Sequence, residues 1–180
     1  MPEDYDVVLL VEEQLTEDDA RRVRSLHEAL EEPVTYHLLM PLDDAAARIE
    51  ASLGTLGSGD TAGPVVPLDP TDLQAVQDEA RARSEEALQA STAALEAAGA
   101  TVASGALVSG SPTDELADKV GAVDGREAIV MTRPHVVAEL FHLDWTSRAR
   151  RKLGVPVLHL LEHESFVEQS EEPGDGVTGF

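Results

Sequence analysis

The stretch that decides the fold runs over residues 128–161 and reads AIVMTRPHVVAELFHLDWTSRARRKLGVPVLHLL. It opens with a short apolar run typical of a buried strand and continues through an irregular turn into a helical pattern with a basic end. A second apolar run, Val155 to Leu161, follows Gly154 and predicts another buried strand. Because two parallel strands need a crossover between them, this order predicts a strand–helix–strand unit of a parallel sheet.

The upstream chain repeats this alternation of strands and helices. A continuous β-branched and Leu run, typical of a strand buried on both faces, occupies residues 6–11, and further strands are predicted over residues 34–40 and 101–108. Helical spacing of apolar residues predicts three helices, over residues 16 to about 30, 69 to about 98, and 111–124. Alternating strands and helices predict an α/β fold with a five-stranded parallel open sheet and helices on both faces, a Rossmann-like three-layer sandwich.

Capping residues support the helix boundaries. Thr16 is predicted to be an N-cap, followed by three acidic residues that suit the positive end of the helix dipole. Ser111 is predicted to be the next N-cap, with Pro112 at the first helical position and Asp114 as the acid at N3. Gly99 is placed as the C′ glycine of the long helix.

One domain over residues 1–163 is predicted, because 180 residues suffice for a single core and are short for two. Residues 43–70 contain a short helical pattern and a Gly- and Pro-rich segment, which predict a surface excursion. Residues 164–180 are acidic and Gly-rich and are predicted to form a disordered tail.

The charge and the absence of cysteine exclude several kinds of partner and site. A net charge of −22 is unfavourable for nucleic acid and for anionic membrane surfaces. With no cysteine, disulfides, thiol catalysis and Cys-based metal sites are excluded. No apolar run reaches the length of a membrane span, and the acidic start, MPEDYD, is unlike a signal peptide. We therefore expect a cytoplasmic protein.

Over residues 5–163, the chain resembles the universal stress protein family. The features that carry the resemblance are the first strand, DVVLLV, the long Ala-rich helix ending at Gly99, the Gly110-Ser111-Pro112 turn and the closing strand, VPVLHLL. The family usually has Gly-Asp-Pro at that turn. The resemblance implies an adenine nucleotide alpha hydrolase-like fold and a role in stress response or regulation.

Members of the family that bind ATP carry the motif Gly-x2-Gly-x9-Gly-Ser/Thr after the fourth strand. Counted forward from Met131, this chain has Thr132, His135 and Trp145 at the glycine positions, followed by Thr146. Counted back from Pro156, the last pair becomes Leu143-Asp144, and neither alignment restores a glycine. Glu12 stands where the family has an Asp that contacts the nucleoside. ATP binding in the family manner is therefore not expected.

Candidate binding residues lie where strands end near the topological switch point of such a sheet. A local cluster of basic residues after the fourth strand adds a hypothesis of an anion site that uses side-chain charge instead of glycine amides. The alternative interpretation is that these cations favour a helix C-terminus and pair with nearby acids. The candidates are Glu12, Met40, Gly110, Thr132, Arg133, His135, Thr146 and Arg148.

Other chemistry finds little support in the sequence. No histidine has a carboxylate at metal-ligand spacing, so no metal site is expected. No nucleophile–base pair stands out, since Ser109, Ser111 and Ser147 have simpler interpretations as turn or cap residues. One interpretation of the Glu12-Glu13 pair is an acid and a base, but one buried or paired carboxylate beside one solvated carboxylate is the simpler interpretation.

Two functions remain open. The first is a non-catalytic module with no cofactor, which works as a homodimer or through a protein partner. Its dimer would form through the closing strand, which the family commonly pairs across a dimer axis, with Val155, Val157, His159 and Leu161 at the contact. The alternative is a protein that binds a small anion or a nucleotide such as ATP, AMP or a cyclic nucleotide in the switch-point cleft. Nucleotide hydrolysis is a more distant alternative.

Overall fold

A computed structural model describes residues 4–42, 70–132 and 151–162. The predicted surface excursion, apart from its last residue, lies outside these ranges. So do residues 133–150, which hold the predicted turn and most of the predicted helix, and the predicted acidic tail.

A five-stranded, all-parallel sheet forms the centre of the described part of the chain, which confirms the predicted fold class. Its spatial order is β3-β2-β1-β4-β5. The strands are β1 (Tyr5–Val11), β2 (Val34–Pro41), β3 (Thr101–Val108), β4 (Glu127–Thr132) and β5 (Val157–Leu161). The described helices are α1 (Glu17–Ser25), α2 (Pro70–Ala97) and α3 (Pro112–Val123), and residues 151–153 are also helical.

Strand β1 lies in the middle of the sheet and feeds a core on each face. Val7, Leu9 and Val11 pack on one face with residues of α1 and α2, which we call the α1/α2 face. Val8 and Leu10 pack on the opposite face with residues of α3, which we call the α3 face. All five side chains are buried, which explains why β1 is a continuous apolar run instead of an alternating one.

Helix α1 begins as predicted and ends earlier than predicted. Thr16 and Asp19 form a reciprocal capping box at its start. The helix ends at Ser25 instead of near Leu30, because the following amides bond three residues back in tighter turns. These turns bring the His27 ring inward, 2.7 Å from the Tyr36 hydroxyl, and leave Leu30 exposed.

The ends of the other elements mostly follow the predictions. Gly99 has a φ of 86°, and it and Ala100 bond back to the carbonyls of the last turn of α2, as in a Schellman motif. Ser111 is the N-cap of α3, although its side chain makes no capping hydrogen bond. Strand β5 begins at Val157 and not at Val155, because Pro156 has no N–H to donate to the ladder.

Two strands form the edges of the described sheet. Strand β3 ends the sheet on one side and β5 ends it on the other. Strand β3 carries a bulge, since Tyr36 lies opposite Val102 while the next residue, His37, lies opposite Ser104.

None of the described helices is long and apolar enough to cross a membrane.

Candidate functional site

The switch point lies between β1 and β4. The chain moves outward from β1 to β2 and β3 on one side, and then returns across the sheet to place β4 on the other side of β1. Val11 lies opposite Met131, and the Glu12 amide donates to the Met131 carbonyl at 3.1 Å. The predicted candidates Glu12 and Thr132 therefore come together at the carboxyl end of the sheet, where ligands of such folds bind.

A side chain from the end of the closing strand occupies this position. Glu162 follows β5 directly, and its Oε1 accepts hydrogen bonds from the backbone amides of Glu12 at 2.8 Å and Glu13 at 2.9 Å. The Glu162 amide in turn donates to the Thr132 carbonyl at 2.9 Å. We call Glu162 and the two amides it binds the carboxyl-end cluster. An internal carboxylate thus holds the amide donors that end the first strand.

The Glu162 carboxyl is buried and only partly hydrogen-bonded. It is 1% exposed, and burial raises its pKa from 4.5 to about 7. The two amide bonds lower the pKa, while the nearby carboxylates of Glu12 and Glu13 raise it. Its second oxygen, Oε2, is buried and has no hydrogen-bond partner among the residues that the structure describes. The cluster therefore holds a carboxyl group that gains or loses a proton near neutral pH.

A second polar contact lies beside this cluster, between β4 and β5. Thr132 Oγ1 is 2.8 Å from His159 Nε2, and the two groups share a hydrogen bond. Burial, together with the positive charge of Arg22, lowers the pKa of His159 from 6.5 to about 4. Arg22 is itself buried and donates from Nη1 to the Leu161 carbonyl at 2.8 Å. His159 is therefore neutral at physiological pH.

The other described candidates have structural roles. The Met40 side chain is 2% exposed and packs in the core of the α1/α2 face. Gly110 lies exposed in the turn before α3, where an added Cβ would meet only the flexible end of Glu115, at 3.4 Å. No steric need for glycine is evident there. Arg133, His135, Thr146 and Arg148 lie outside the described residues.

Only the last residues of the basic cluster lie within the part of the chain that the structure describes. The Lys152 ammonium pairs with the carboxylate of Asp114 in α3, and both side chains are more than half exposed. This pair holds the pKa of Asp114 below its usual value. The contact supports the interpretation in which these cations pair with neighbouring acids. Within residues 4–42, 70–132 and 151–162, no three metal-ligating side chains come together.

Sequence reasoning missed Glu162 and Arg22. Glu162 was hidden by its position after the predicted strand, beside an acidic tail. The signal that could have found it is its place directly beyond a buried strand, because every strand of a parallel sheet ends at the same edge. Arg22 was hidden by its position in a helix with apolar spacing, where a cation is ordinarily exposed.

Comparison with known proteins supports the architecture. No protein-family model and no curated protein sequence matches the chain. A universal stress protein from Archaeoglobus fulgidus is similar in structure, with 16% identity, a TM-score of 0.50 and coverage of 86% of this chain and 92% of that one. A universal stress protein family protein from Arabidopsis thaliana, with AMP bound, is 13% identical with a TM-score of 0.50, over 95% of this chain and 97% of that one. The chain therefore has the fold of the universal stress proteins.

Proposed function

We propose that the chain is a universal-stress-protein-like homodimeric module with a stress-response or regulatory role, whose switch-point cleft neither binds ATP in the family manner nor performs chemistry. The observation that carries this proposal is the hydrogen bonding of the Glu162 carboxylate to the amides of Glu12 and Glu13. Those amides lie at the carboxyl end of the first strand, beside the switch point, and Glu162 places a carboxylate on them.

Electrostatics and tethering both oppose a polyanionic ligand at this position. Glu162 belongs to the same chain as the amides, so it competes at a high effective concentration. The carboxylates of Glu12, Glu13 and Glu162 lie close together, in a chain whose net charge is −22. A triphosphate would have to approach this negative field and displace a carboxylate that is already bound.

Calorimetric titration with ATP and AMP tests this part of the proposal. We expect no binding heat from the wild-type chain at millimolar nucleotide and pH 8, where Glu162 is charged. The matched pair of variants is Glu162→Ala, which removes the carboxylate from the two amides, and Glu28→Ala, which removes an exposed carboxylate elsewhere. Saturable ATP binding by the wild-type chain, with Glu162→Ala no tighter, would contradict the proposal.

The dimer is proposed to form through the outer edge of β5. Within the described residues, β5 pairs with β4 alone, so one side of its backbone has no strand partner. Val157 and Leu161 are already buried in the chain, and His159 bonds to Thr132. Strand pairing between two copies would therefore rest on backbone hydrogen bonds more than on these side chains.

Light scattering and amide hydrogen exchange test the dimer together. We expect the mass of a dimer at micromolar concentration. We also expect the amides of β5 to become less protected on dilution, while those of β3, the opposite edge, stay the same. A monomer at high micromolar concentration would contradict a dimer, and loss of protection at β3 alone would place the interface at the wrong edge.

A nucleotide- or anion-binding protein is the second candidate. The pKa of Glu162 near 7 favours this candidate, because protonation of the Glu162 carboxylate weakens its hydrogen bonds to the amides. The similar Arabidopsis thaliana protein, which has AMP bound, also favours it. This candidate predicts that AMP or phosphate binds the wild-type chain more tightly at pH 6 than at pH 8. Because the phosphate group of the ligand also titrates, at about pH 6, the comparison is with Glu162→Gln, whose binding should change less between the two pH values. No binding by either chain at either pH would exclude this candidate.

A further inference from the structure

A chain of three polar side chains crosses β1, β2 and β3 on the α3 face of the sheet. His37 Nε2 is 2.8 Å from Asp6 Oδ1, and His37 Nδ1 is 2.9 Å from Ser104 Oγ. His37 lies opposite Val8 in β1 and opposite Ser104 in β3, so the sheet register itself brings the three groups into line. We call this arrangement the Asp6–His37–Ser104 triad.

With Asp6 ionised and His37 neutral, both hydrogen bonds are satisfied by one tautomer of His37. An ionised carboxylate can only accept, so Asp6 requires the proton of His37 to be on Nε2. Nδ1 then carries a lone pair and accepts the hydrogen bond of the Ser104 hydroxyl. A hydroxyl that donates to an imidazole, which a carboxylate orients, is the arrangement by which enzymes activate a serine nucleophile.

The exposure of the three groups suits this role. The His37 side chain is 9% exposed, so its basic nitrogen is shielded, whereas Ser104 is only half-buried. The neighbours of Ser104 along the strand are small and exposed: Ala103, Gly105 and Ala106. Ala106, the next residue of β3 on the same face as Ser104, adds no large side chain beside the hydroxyl.

The position in β3 adds hydrogen-bond donors. Strand β3 is the edge strand of the described sheet, so alternate backbone amides along it face away from β2. The bulge at Ala103 lies next to Ser104, and bulges re-aim side chains and occur beside active sites. Outward amides of this kind are the donors that an acyl carbonyl would need as it gains negative charge.

We propose that Ser104 is the nucleophile of a second site that cleaves small acyl esters, with His37 as general base and Asp6 as the positioning residue. Ser104 Oγ forms a bond to the ester carbonyl carbon as its proton passes to His37 Nδ1. The tetrahedral adduct collapses by breaking the bond to the leaving alcohol, which takes the proton from Nδ1. Water then attacks the acyl-serine, gives a proton to His37 and releases the carboxylic acid, and that proton returns to Ser104 Oγ.

The chemistry of the chain limits the substrate class. A net charge of −22 repels anionic esters, so uncharged or cationic esters are favoured. The small, exposed surroundings of Ser104 favour short acyl groups. The site is separate from the carboxyl-end cluster, because Asp6 and Glu12 are six residue steps apart along β1, about 20 Å. Failure of this proposal would leave the proposed function unaffected.

Ester hydrolysis and covalent labelling test the assignment of Ser104. We expect the wild-type chain to hydrolyse p-nitrophenyl butyrate, and a fluorophosphonate probe to add its mass to the peptide that contains Ser104. Ser104→Ala and His37→Gln should each lower hydrolysis by about 100-fold or more. Ser25→Ala removes a hydroxyl that bonds to a helical carbonyl and should hydrolyse as the wild-type chain does.

Two results would show that Ser104 is not a nucleophile. Equal hydrolysis by the wild-type chain and Ser104→Ala would overturn the proposal, as would the absence of an adduct on Ser104 in a folded chain at millimolar probe. Either result would leave the triad as a structural hydrogen-bond chain.

A cysteine at the same position gives a second, independent readout. Ser104→Cys introduces the only thiol of a chain that has no cysteine, so alkylation by iodoacetamide reports on that site alone. If His37 acts as a base, the pH profile of alkylation should lie at least about 1 pH unit lower than in Ser104→Cys with His37→Gln. Identical pH profiles in the two backgrounds would overturn the role of His37.

Discussion

The carboxyl-end cluster and the Asp6–His37–Ser104 triad each bury a polar group on the same sheet, but they satisfy the hydrogen bonds of that group to different extents. Glu162 is buried with one oxygen unpaired, and its pKa is raised to about 7. In the triad, both nitrogens of the buried His37 ring are hydrogen-bonded, and the residue at one end of the triad, Ser104, is half-buried. The difference teaches how our two proposals part: the cluster is proposed to close a ligand position, and the triad to present a reactive group to solvent.

The largest effect should come from breaking the protonation pattern of the triad. In Asp6→Asn the new amide can donate to His37 Nε2, which moves the ring proton to Nδ1 and removes the lone pair that faces Ser104. We expect ester hydrolysis to fall by about 10³-fold. The rate should be measured from pH 5 to pH 9, because a merely structural role would not change the shape of the pH profile.

Asp78→Asn is the matched control for that change. It neutralises an exposed carboxylate on α2, away from the triad, and should leave hydrolysis unchanged. If Asp6→Asn hydrolysed ester as fast as this control, the triad would be no different from an ordinary buried hydrogen-bond chain, and the contrast between the two regions would disappear.

The next effect is on the stability of the folded chain, to which the carboxyl-end cluster contributes. The pKa of Glu162 is higher in the folded chain than its ordinary value of 4.5, so the folded state binds more protons than the unfolded state between about pH 4.5 and pH 7. The contribution of Glu162 to stability is therefore fully present below pH 4.5 and is lost as the pH rises to about 7. The loss amounts to about 3 kcal/mol at pH 8.

Glu162→Gln keeps an oxygen for the two amides and removes the charge. We expect its free energy of unfolding to exceed that of the wild-type chain by about 1–3 kcal/mol at pH 8 and to match it near pH 4.5. Denaturant titrations at both pH values measure this difference. A variant less stable than the wild-type chain at pH 8 would mean that the Glu162 carboxylate is well solvated or paired.

His159 imposes the opposite dependence on pH. Its pKa is depressed to about 4, so its contribution is present above the ordinary value of 6.5 and is lost as the pH falls towards 4. Between about pH 4.5 and pH 6.5 the effects of Glu162 and His159 therefore oppose one another. For this reason the Glu162→Gln experiment compares the two chains at each pH instead of following the wild-type chain alone.

The smallest effect should come from the hydroxyl beside the cluster. Thr132→Val removes the hydrogen bond to His159 Nε2 while keeping the shape of the side chain. We expect a loss of about 1–2 kcal/mol, because a buried ring nitrogen loses a partner. Thr92→Val is the control, since the Thr92 hydroxyl bonds to a helical carbonyl, and it should change stability by less. Equal losses in both variants would remove any special role for Thr132.

The fold was largely predictable from the sequence because its signals are local. The apolar runs of β1, β2 and β4 and the cap at Thr16 depend on neighbouring residues, and the structure confirms them. The early end of α1 was not predictable in this way, since it depends on the contact of His27 with Tyr36, nine residues away. Register between strands is likewise a property of the folded sheet.

The candidate site was predictable in place but not in composition. The order of elements placed Glu12 and Thr132 at the switch point, where the structure has them. Glu162 reaches that place from 150 residues along the chain, which no local pattern reveals. The triad was missed for the same reason, because Asp6, His37 and Ser104 are separated by 31 and 67 residues.

The central claim, that the Glu162 carboxyl holds the amides of Glu12 and Glu13, is tested most directly by nuclear magnetic resonance. The account predicts that the backbone amide signals of both residues titrate together with a midpoint near pH 7, the pKa of Glu162, and that this step is absent in Glu162→Gln. Amide signals that do not move between pH 5 and pH 9 in the wild-type chain, or that move equally in Glu162→Gln, would contradict it.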